Sequence, residues 1–386
     1  MKAIACVVLL GALAAAALPS PPDARIDLPD RLSFEEFWAL SESLSEPSVP
    51  FISDNLVSNE MSFPQVIPEI VSWGVRNGVF IGVGPEQNFT YIDAMSARLG
   101  FVVDIRRENL LLHLLYKALF DVSPDRASFV GNLFGRPAAS EAGSVVGVSR
   151  LMERLEQSAP GTQAEQERLV QLVARTLAGY GFPLSTEDFA GIERVHRAFQ
   201  RYGPAITYMS TLPNAPAGQA TFANLMRQVD ANQRPLGFLA SEDSYRFIRE
   251  MQRKNLIVPV VGNFAGPKAI RGIGRYLRDR QATVSAFYVS NVEDYLGKEP
   301  SVPRNGEWRV FCENVAALPL DTSSVFIRPI GLAVFNAVTG WRLSKDMFLV
   351  AAADEARASD FGGVLPQALF PIAPEVRNCS QVRGQR

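Results

Sequence analysis

The sequence predicts an α/β protein: a doubly wound, mostly parallel sheet carrying a helical insertion. Two observations predict it. Short apolar, β-branched runs such as "GVFIGVG", "RLGFVVDI" and "LIVPVVG" recur along the chain, and amphipathic helical patterns separate them. Near-continuous apolar strands alternating with helices are what a parallel sheet buried on both faces requires. With 386 residues, 47% of them hydrophobic, the chain can bury a full core, as one large domain with insertions or as two modest ones.

The chain opens on "MKAIACVVLLGALAAAALPS", with Lys2 ahead of an apolar run and small residues at Ala15 and Ala17. This is the layout of a cleavable secretory signal over 1–17, too short for comfortable membrane spanning and lacking a basic stop-transfer flank. The expectation is an exported protein, periplasmic or secreted, with no stable membrane insertion after cleavage. An uncleaved anchor or a misplaced start codon is the alternative, which leaves the protein membrane-anchored or cytoplasmic. A Pro-rich linker follows over 18–31.

Ser33 with Glu36 reads as a capping box opening a helix in "SFEEFWALSESLSE". The polar cluster Asp54, Asn55, Ser58, Asn59 and Glu60 comes next, either a cover for a ligand site or a well-capped loop. A helix over about 63–77 leads into the first strand at Gly78–Gly84, "RLGFVVDI" is the second, and "RENLLLHLLYKALF" is a helix with leucines at helical spacing. Between about 123 and 203 the alternation stops, and three helices are predicted near 148–158, 163–178 and 186–201, the last capped by Ser185 with Asp188. The rhythm then resumes with predicted strands at "AITYMS", "LIVPVVGNFAG", "TVSAFYVSNVEDYL" and "SSVFIRPI", separated by helices that include "SEDSYRFIREMQRKN", "PKAIRGIGRYLRDRQ" and "EWRVFCENVAAL". Residues 331–386 form a C-terminal extension.

Charge excludes one class of partner. Lys and Arg total 38 against 40 Asp and Glu, a net charge of -2, so no nucleic acid partner is expected and a small-molecule ligand is. The cations Lys268, Arg271, Arg275 and Arg278 repeat at helical spacing, as a solvated face or a surface for an acidic partner. His113 and His196 lie on amphipathic helical patterns, where a structural role is expected, and no zinc-type spacing can be written. No G-x-S-x-G elbow, H-E-x-x-H pair or P-loop lysine is present. After signal removal Cys312 and Cys379 remain, able to pair in an oxidising compartment or to stay free.

The candidate chemistry sits in "GVFIGVGPEQNF". Gly82 and Gly84 end the first strand, where a missing Cβ lets backbone approach a ligand, or where the turn is simply tight. Asp104 ends the second strand about twenty positions further on, the place of a carboxylate that accepts from ribose hydroxyls. Its alternative is an ion pair with Arg106 or Arg107. Gln87 stands where a third glycine would bring a helix N-terminus onto a pyrophosphate, and the turn carries Pro85 and Glu86, a carboxylate that repels phosphate. The pattern disfavours NAD and suits a ribose-bearing cofactor with a cationic group that Glu86 meets.

"GVFIGVGPEQNF", "FVVDIRREN" and "FYVSNVEDYL" resemble motifs I, II and IV of class I S-adenosylmethionine-dependent methyltransferases. They look still more like an uncharacterised bacterial methyltransferase-like family, over about Phe51 to Ile330. The resemblance implies a Rossmann-like domain over 32–330, with S-adenosylmethionine as cofactor. By this likeness Gly82 and Gly84 pass under the cofactor, Asp104 holds the ribose, and Ser290, Asn291 and Glu293 line the mouth near the methyl donor. Asn88 and Tyr91 are candidates to line an adenine or amino-acid pocket, the alternative for Asn88-Phe89-Thr90 being a plain helix start. Two departures stand out: Phe80 occupies the acidic position two before the first glycine, leaving Glu86 as its substitute, and the fourth motif lacks the Asn/Asp-Pro-Pro-aromatic form of amino-group methylation. No catalytic base is assigned, Glu293 and Tyr208 being the weak candidates. The reading is a methyltransferase-like protein acting on a small substrate; the alternative is an exported, non-catalytic Rossmann-like protein that binds a small ligand or a protein partner, since the methyl donor is made in the cytoplasm.

Overall fold

The computed structural model describes residues 27–51, 53–137, 147–213, 218–296, 306–329, 367–377 and 379. The leader at 1–17, the first part of the linker and most of the C-terminal extension lie outside them. At the centre is one six-stranded sheet in the order β3-β2-β1-β4-β5-β6. Its strands are β1 (Val79–Gly82), β2 (Leu99–Asp104), β3 (Ile257–Val261), β4 (Val284–Tyr288), β5 (Val325–Pro329) and β6 (Gln367–Pro371). The first five run parallel and β6 pairs antiparallel with β5. Every residue of β1, β2, β3 and β4 is buried, which fits a sheet covered on both faces.

Two groups of helices supply that cover. In one, α1 (Phe34–Leu44) packs on β3 and on α11 (Ala269–Arg278), α11 on α13 (Glu307–Ala316), and α13 on α14 (Ile372–Val376). In the other, α2 (Ile67–Ser72) packs on α3 (Gln87–Ala94), α3 on α10 (Glu242–Arg253), and α10 on α4 (Arg107–Val122). The stretch between α4 and α10 adds α5 (Arg126–Phe134), α6 (Val148–Gln157), α7 (Gln163–Gly179), α8 (Thr186–Tyr202) and the short α9 (Phe222–Met226). Of these α5, α7 and α8 pack against α4.

The expected caps form. Ser33 and Glu36 make a reciprocal capping box on α1, and Ser185 and Asp188 make one on α8. Each satisfies two backbone donors that a helix start leaves without partners. The helix expected over 63–77 is shorter, a 3-10 turn at Phe63–Val66 running into α2.

Two strand assignments need correction. "AITYMS" is not in the sheet: Ser210 N–H donates to the Thr207 carbonyl and Thr207 N–H to Ser210 Oγ, closing a turn, and Ile206 is the one buried residue of the six. The sixth strand is instead β6, in the C-terminal extension, recruited as an antiparallel edge by five register pairs with β5. Cys312 on α13 and Cys379 are joined by a disulfide, Cα atoms 5.6 Å apart, which ties the segment after β6 to the helix before β5. Three of the four cations at Lys268 and along α11 serve local structure: Lys268 Nζ donates to the Ser45 carbonyl, Arg271 Nε to Asn314 Oδ1, and Arg278 to the Ala317 carbonyl.

Candidate functional site

β1 has β2 on one side and β4 on the other, so the chain crosses the sheet in opposite senses from this strand. The crevice beyond the carboxyl ends of such strands is where open α/β sheets bind ligands. Gly82 ends β1 and the turn Val83–Glu86 leads into α3. The two glycines of this turn answer to different physics. At Gly82 a Cβ would overlap Asn88 Oδ1 and the Phe80 ring, so its absence makes room for the protein's own side chains. Gly84 has φ +75, and a Cβ built there meets nothing within 4 Å. Its backbone requires glycine, and the space beside it is open.

Asn88 holds the turn. Its Nδ2 faces the carbonyls of Val83, Gly84 and Pro85 at 2.9, 3.1 and 2.7 Å, which fixes the orientation of the amide. His113 on α4 contacts the same Gly84 carbonyl through Nε2 at 2.9 Å. Burial lowers the His113 pKa to about 4, against the opposing pull of that carbonyl, so the ring is neutral with Nε2–H donating and Nδ1 a bare acceptor. The structural role expected of the histidine is real, and it places the ring against the turn.

Asp104 ends β2 as expected, but its carboxylate is engaged. Arg106 donates from Nε to Oδ1 at 2.9 Å and from an η nitrogen to Oδ2 at 2.8 Å, and its backbone N–H reaches Oδ1 at 3.0 Å. The other η nitrogen donates to the Ser53 carbonyl at 3.3 Å and to the Asp54 carbonyl. Arg107 turns elsewhere, to a bidentate pair with Asp188. Of the two readings of Asp104, the ion pair with Arg106 is the arrangement present.

The segment 53–63 lies over this end of the sheet. Ser58 N–H donates to Glu86 Oε1 at 3.1 Å, and Ser58 Oγ bonds the Gln87 amide. Glu60, 1% exposed, is the hub: Gln87 Nε2 donates to it at 2.8 Å, Gln367 Nε2 of β6 at 2.6 Å, and Ser290 Oγ at 2.5 Å. Burial raises the Glu60 pKa, with the bonds from Ser290, Gln87 and Tyr288 opposing. Through Ser58 and Glu60 the polar cluster is bonded to the start of α3, to Ser290 and to β6. Glu60 has no motif of its own; its spacing from the cluster's other polar residues is the one signal in the sequence that points to it.

Glu86 is also buried, and burial raises its pKa to about 7, with the Ser58 N–H opposing. Its Oε2 has no partner among the described residues, nor have Asn88 Oδ1, Asn109 Oδ1 and His113 Nδ1. Asn109 lies one turn before His113 on α4. All four are acceptors, and a buried polar atom left unpaired costs roughly 1–3 kcal/mol. Near the ends of β1 and β2 four buried acceptors thus lack a donor among the described residues, and such a set matches hydrogen-bond donors better than a phosphate.

Ser290 and Asn291 follow β4 and are half-buried, Ser290 with φ +49. Glu293 faces the buried Arg328 at 3.4 Å, and Arg328 also pairs with Glu375, so Glu293 is committed to an ion pair. Tyr91 is buried, its hydroxyl accepting from Gln87 Nε2 at 2.7 Å. Tyr208 is half-buried in the turn at Thr207–Ser210, away from the strand it was expected to occupy. Among the described residues no group of histidines, cysteines and carboxylates is arranged to hold a metal, and no helix is long and apolar enough to cross a membrane.

The chain belongs to the family defined by a domain of unknown function, DUF7790, whose profile matches residues 55–171 and 190–349. The match takes in the covering segment, the glycine turn, Asp104 and Ser290. No curated protein matches the chain.

Proposed function

We propose that the protein binds S-adenosylmethionine at the carboxyl ends of β1 and β2 and is a methyltransferase-like protein acting on a small substrate. The observation that carries this reading is the set of four buried, unpaired acceptors, on Glu86, Asn88, Asn109 and His113, around a glycine turn at the switch point of the sheet. An adenosyl sulfonium ligand brings a cation, an amino group and ribose hydroxyls, the donors such a set lacks. The cofactor would supply an electrophilic methyl group. The chain's part is to orient it, with Glu86 facing the cationic end and Asp104 taking the ribose hydroxyls when Arg106 releases it, and to exclude water with the segment 53–63.

The experiment is calorimetry on the purified protein with S-adenosylmethionine, its demethylated product and NAD. Both adenosyl ligands bind more tightly than NAD, and the sulfonium more tightly than the neutral thioether. Absence of heat with either adenosyl ligand refutes the reading. The Cys312–Cys379 bond favours a second one, an exported protein binding a related small ligand without catalysis, because such bonds persist in oxidising compartments. N-terminal sequencing of the native protein separates the two: a chain that starts beyond the leader supports export.

A further inference from the structure

Ser290 stands where strand, turn and helix meet. β4 ends at Tyr288, and the short helix α12 (Val292–Tyr295) begins two residues after Ser290. Ser290 has φ +49, a left-handed conformation that costs a residue with a Cβ about 1–2 kcal/mol. Strain of this kind on a non-glycine residue persists where surrounding structure holds it, and it clusters at functional sites. A sharp strand-to-helix turn is also the device by which a nucleophilic serine is presented above a parallel sheet, there between flanking glycines. The sequence around it, "YVSNVE", lacks those glycines, so no motif search finds the turn.

The hydroxyl has a base. Ser290 Oγ donates to Glu60 Oε1 at 2.5 Å, and the other carboxylate oxygen is fixed by Gln87 Nε2 at 2.8 Å and Gln367 Nε2 at 2.6 Å. The base is thereby oriented by third groups, the logic of an activated nucleophile. Ser290 is half-buried and Glu60 is fully buried. Asn291, half-buried and next in the chain, brings a backbone N–H and a carboxamide to the same turn, donors of the type that stabilise an oxyanion.

We infer that Ser290 and Glu60 form a nucleophile–base pair able to take acyl groups from small esters. Ser290 Oγ adds to the ester carbonyl carbon while its proton passes to the Glu60 carboxylate. The bond from that carbon to the leaving oxygen breaks, and Glu60 returns the proton so that an alcohol departs. Water then adds to the acyl-serine with Glu60 taking its proton, the Oγ–carbon bond breaks, the carboxylic acid leaves and Ser290 regains its hydrogen. Ser290 is also expected near the methyl donor and Glu60 lies in the segment 53–63, but labelling reads the serine hydroxyl and calorimetry reads the cofactor, so the two readings fail separately.

The test is covalent labelling with a fluorophosphonate, mapped by peptide mass spectrometry, alongside hydrolysis of p-nitrophenyl acetate. The wild-type protein carries a single adduct on Ser290. Glu60→Gln keeps the shape of the base but cannot take the proton, and it slows both labelling and hydrolysis about 10²-fold or more. Ser290→Gly suits the left-handed backbone, so it melts cooperatively and takes no label. No adduct on Ser290 under conditions that fully label a serine esterase overturns the inference. So does a Glu60→Gln variant, cooperatively folded, that labels at the wild-type rate; if that variant does not fold, the wild-type adduct and its loss in Ser290→Gly decide.

Discussion

Replacing Asp104 by alanine should cost stability before it costs affinity. The Asp104 and Arg106 side chains are 7% and 5% exposed, and two side-chain bonds of 2.9 and 2.8 Å join them. Removing the carboxylate leaves a buried guanidinium whose hydrogen bonds among the described residues go to the Ser53 and Asp54 carbonyls, beside the Phe51 ring. Breaking one side of a buried pair costs about 3–5 kcal/mol, because the remaining charge keeps its desolvation penalty. In a domain of this size that lowers the melting temperature by on the order of 10 °C. Exchanging both partners for apolar residues of similar volume is often neutral. The double variant Asp104→Leu/Arg106→Met should therefore melt above Asp104→Ala, and the coupling energy from urea titrations should favour the intact pair. If Asp104→Ala melts within about 2 °C of wild type, the pair does not hold this end of the sheet and the reasoning fails. The same measurement is the control for any binding assay on this residue, since a loss of affinity in a partly unfolded variant says nothing about a ribose.

Three further outcomes follow from other parts of the molecule. Glu86→Gln should remove the pH dependence of S-adenosylmethionine affinity: in wild type, binding of the cation tightens as pH rises through about 7 and the carboxylate ionises, and calorimetry at pH 6 and 8 shows whether the variant is flat. Lys117 is buried, with Nζ 2.5 Å from the Gln252 carbonyl and within 5.6 Å of the ring centroids of Phe34, Phe37 and Tyr180. Burial lowers its pKa to about 7 from 10.5, so between those values the unfolded chain binds the extra proton and stability rises with pH. Lys117→Met should flatten that rise in denaturant titrations between pH 7 and 10, and an unchanged slope refutes it. Reducing Cys312–Cys379, which are 67 residues apart, should cost up to about 4 kcal/mol on the chain-entropy account, read as a lower melting temperature in reductant; an equal melt in both states shows that the bond adds nothing.

What was legible in the sequence was local. The caps at Ser33 and Ser185 rest on partners three residues away, and α6, α7 and α8 were readable from their spacing because an apolar stripe repeats within each helix. Strands β1 to β5 declared themselves by composition, since each is buried on both faces. Ala205–Ser210 carried the same composition, but a serine hydroxyl three residues from Thr207 closed it into a turn, and local competition of this sort is invisible to a count of apolar residues. β6 alternates buried and half-buried positions over its first four residues, too short a signal to stand out in the sequence.

The polar cluster at 54–60 was visible in the sequence as a cover or a capped loop, but the partners of Glu60 were not. Glu60 meets Gln87, Ser290 and Gln367, which are 27, 230 and 307 residues from it, so its role exists only once the sheet has brought four segments to one end. The two glycines of the turn make the same point at short range. They read alike in "GVG", yet Gly82 yields space to Asn88 inside the protein while Gly84 faces open space with φ +75. Substituting Gly84 by valine therefore imposes a strained backbone whatever lies in the crevice, and loss of binding in that variant has two causes. Glu86→Gln perturbs neither the backbone nor the packing volume, and it changes one of the four acceptors on which the ligand reading rests. It is the substitution that isolates the chemistry of the crevice from the geometry of its turn.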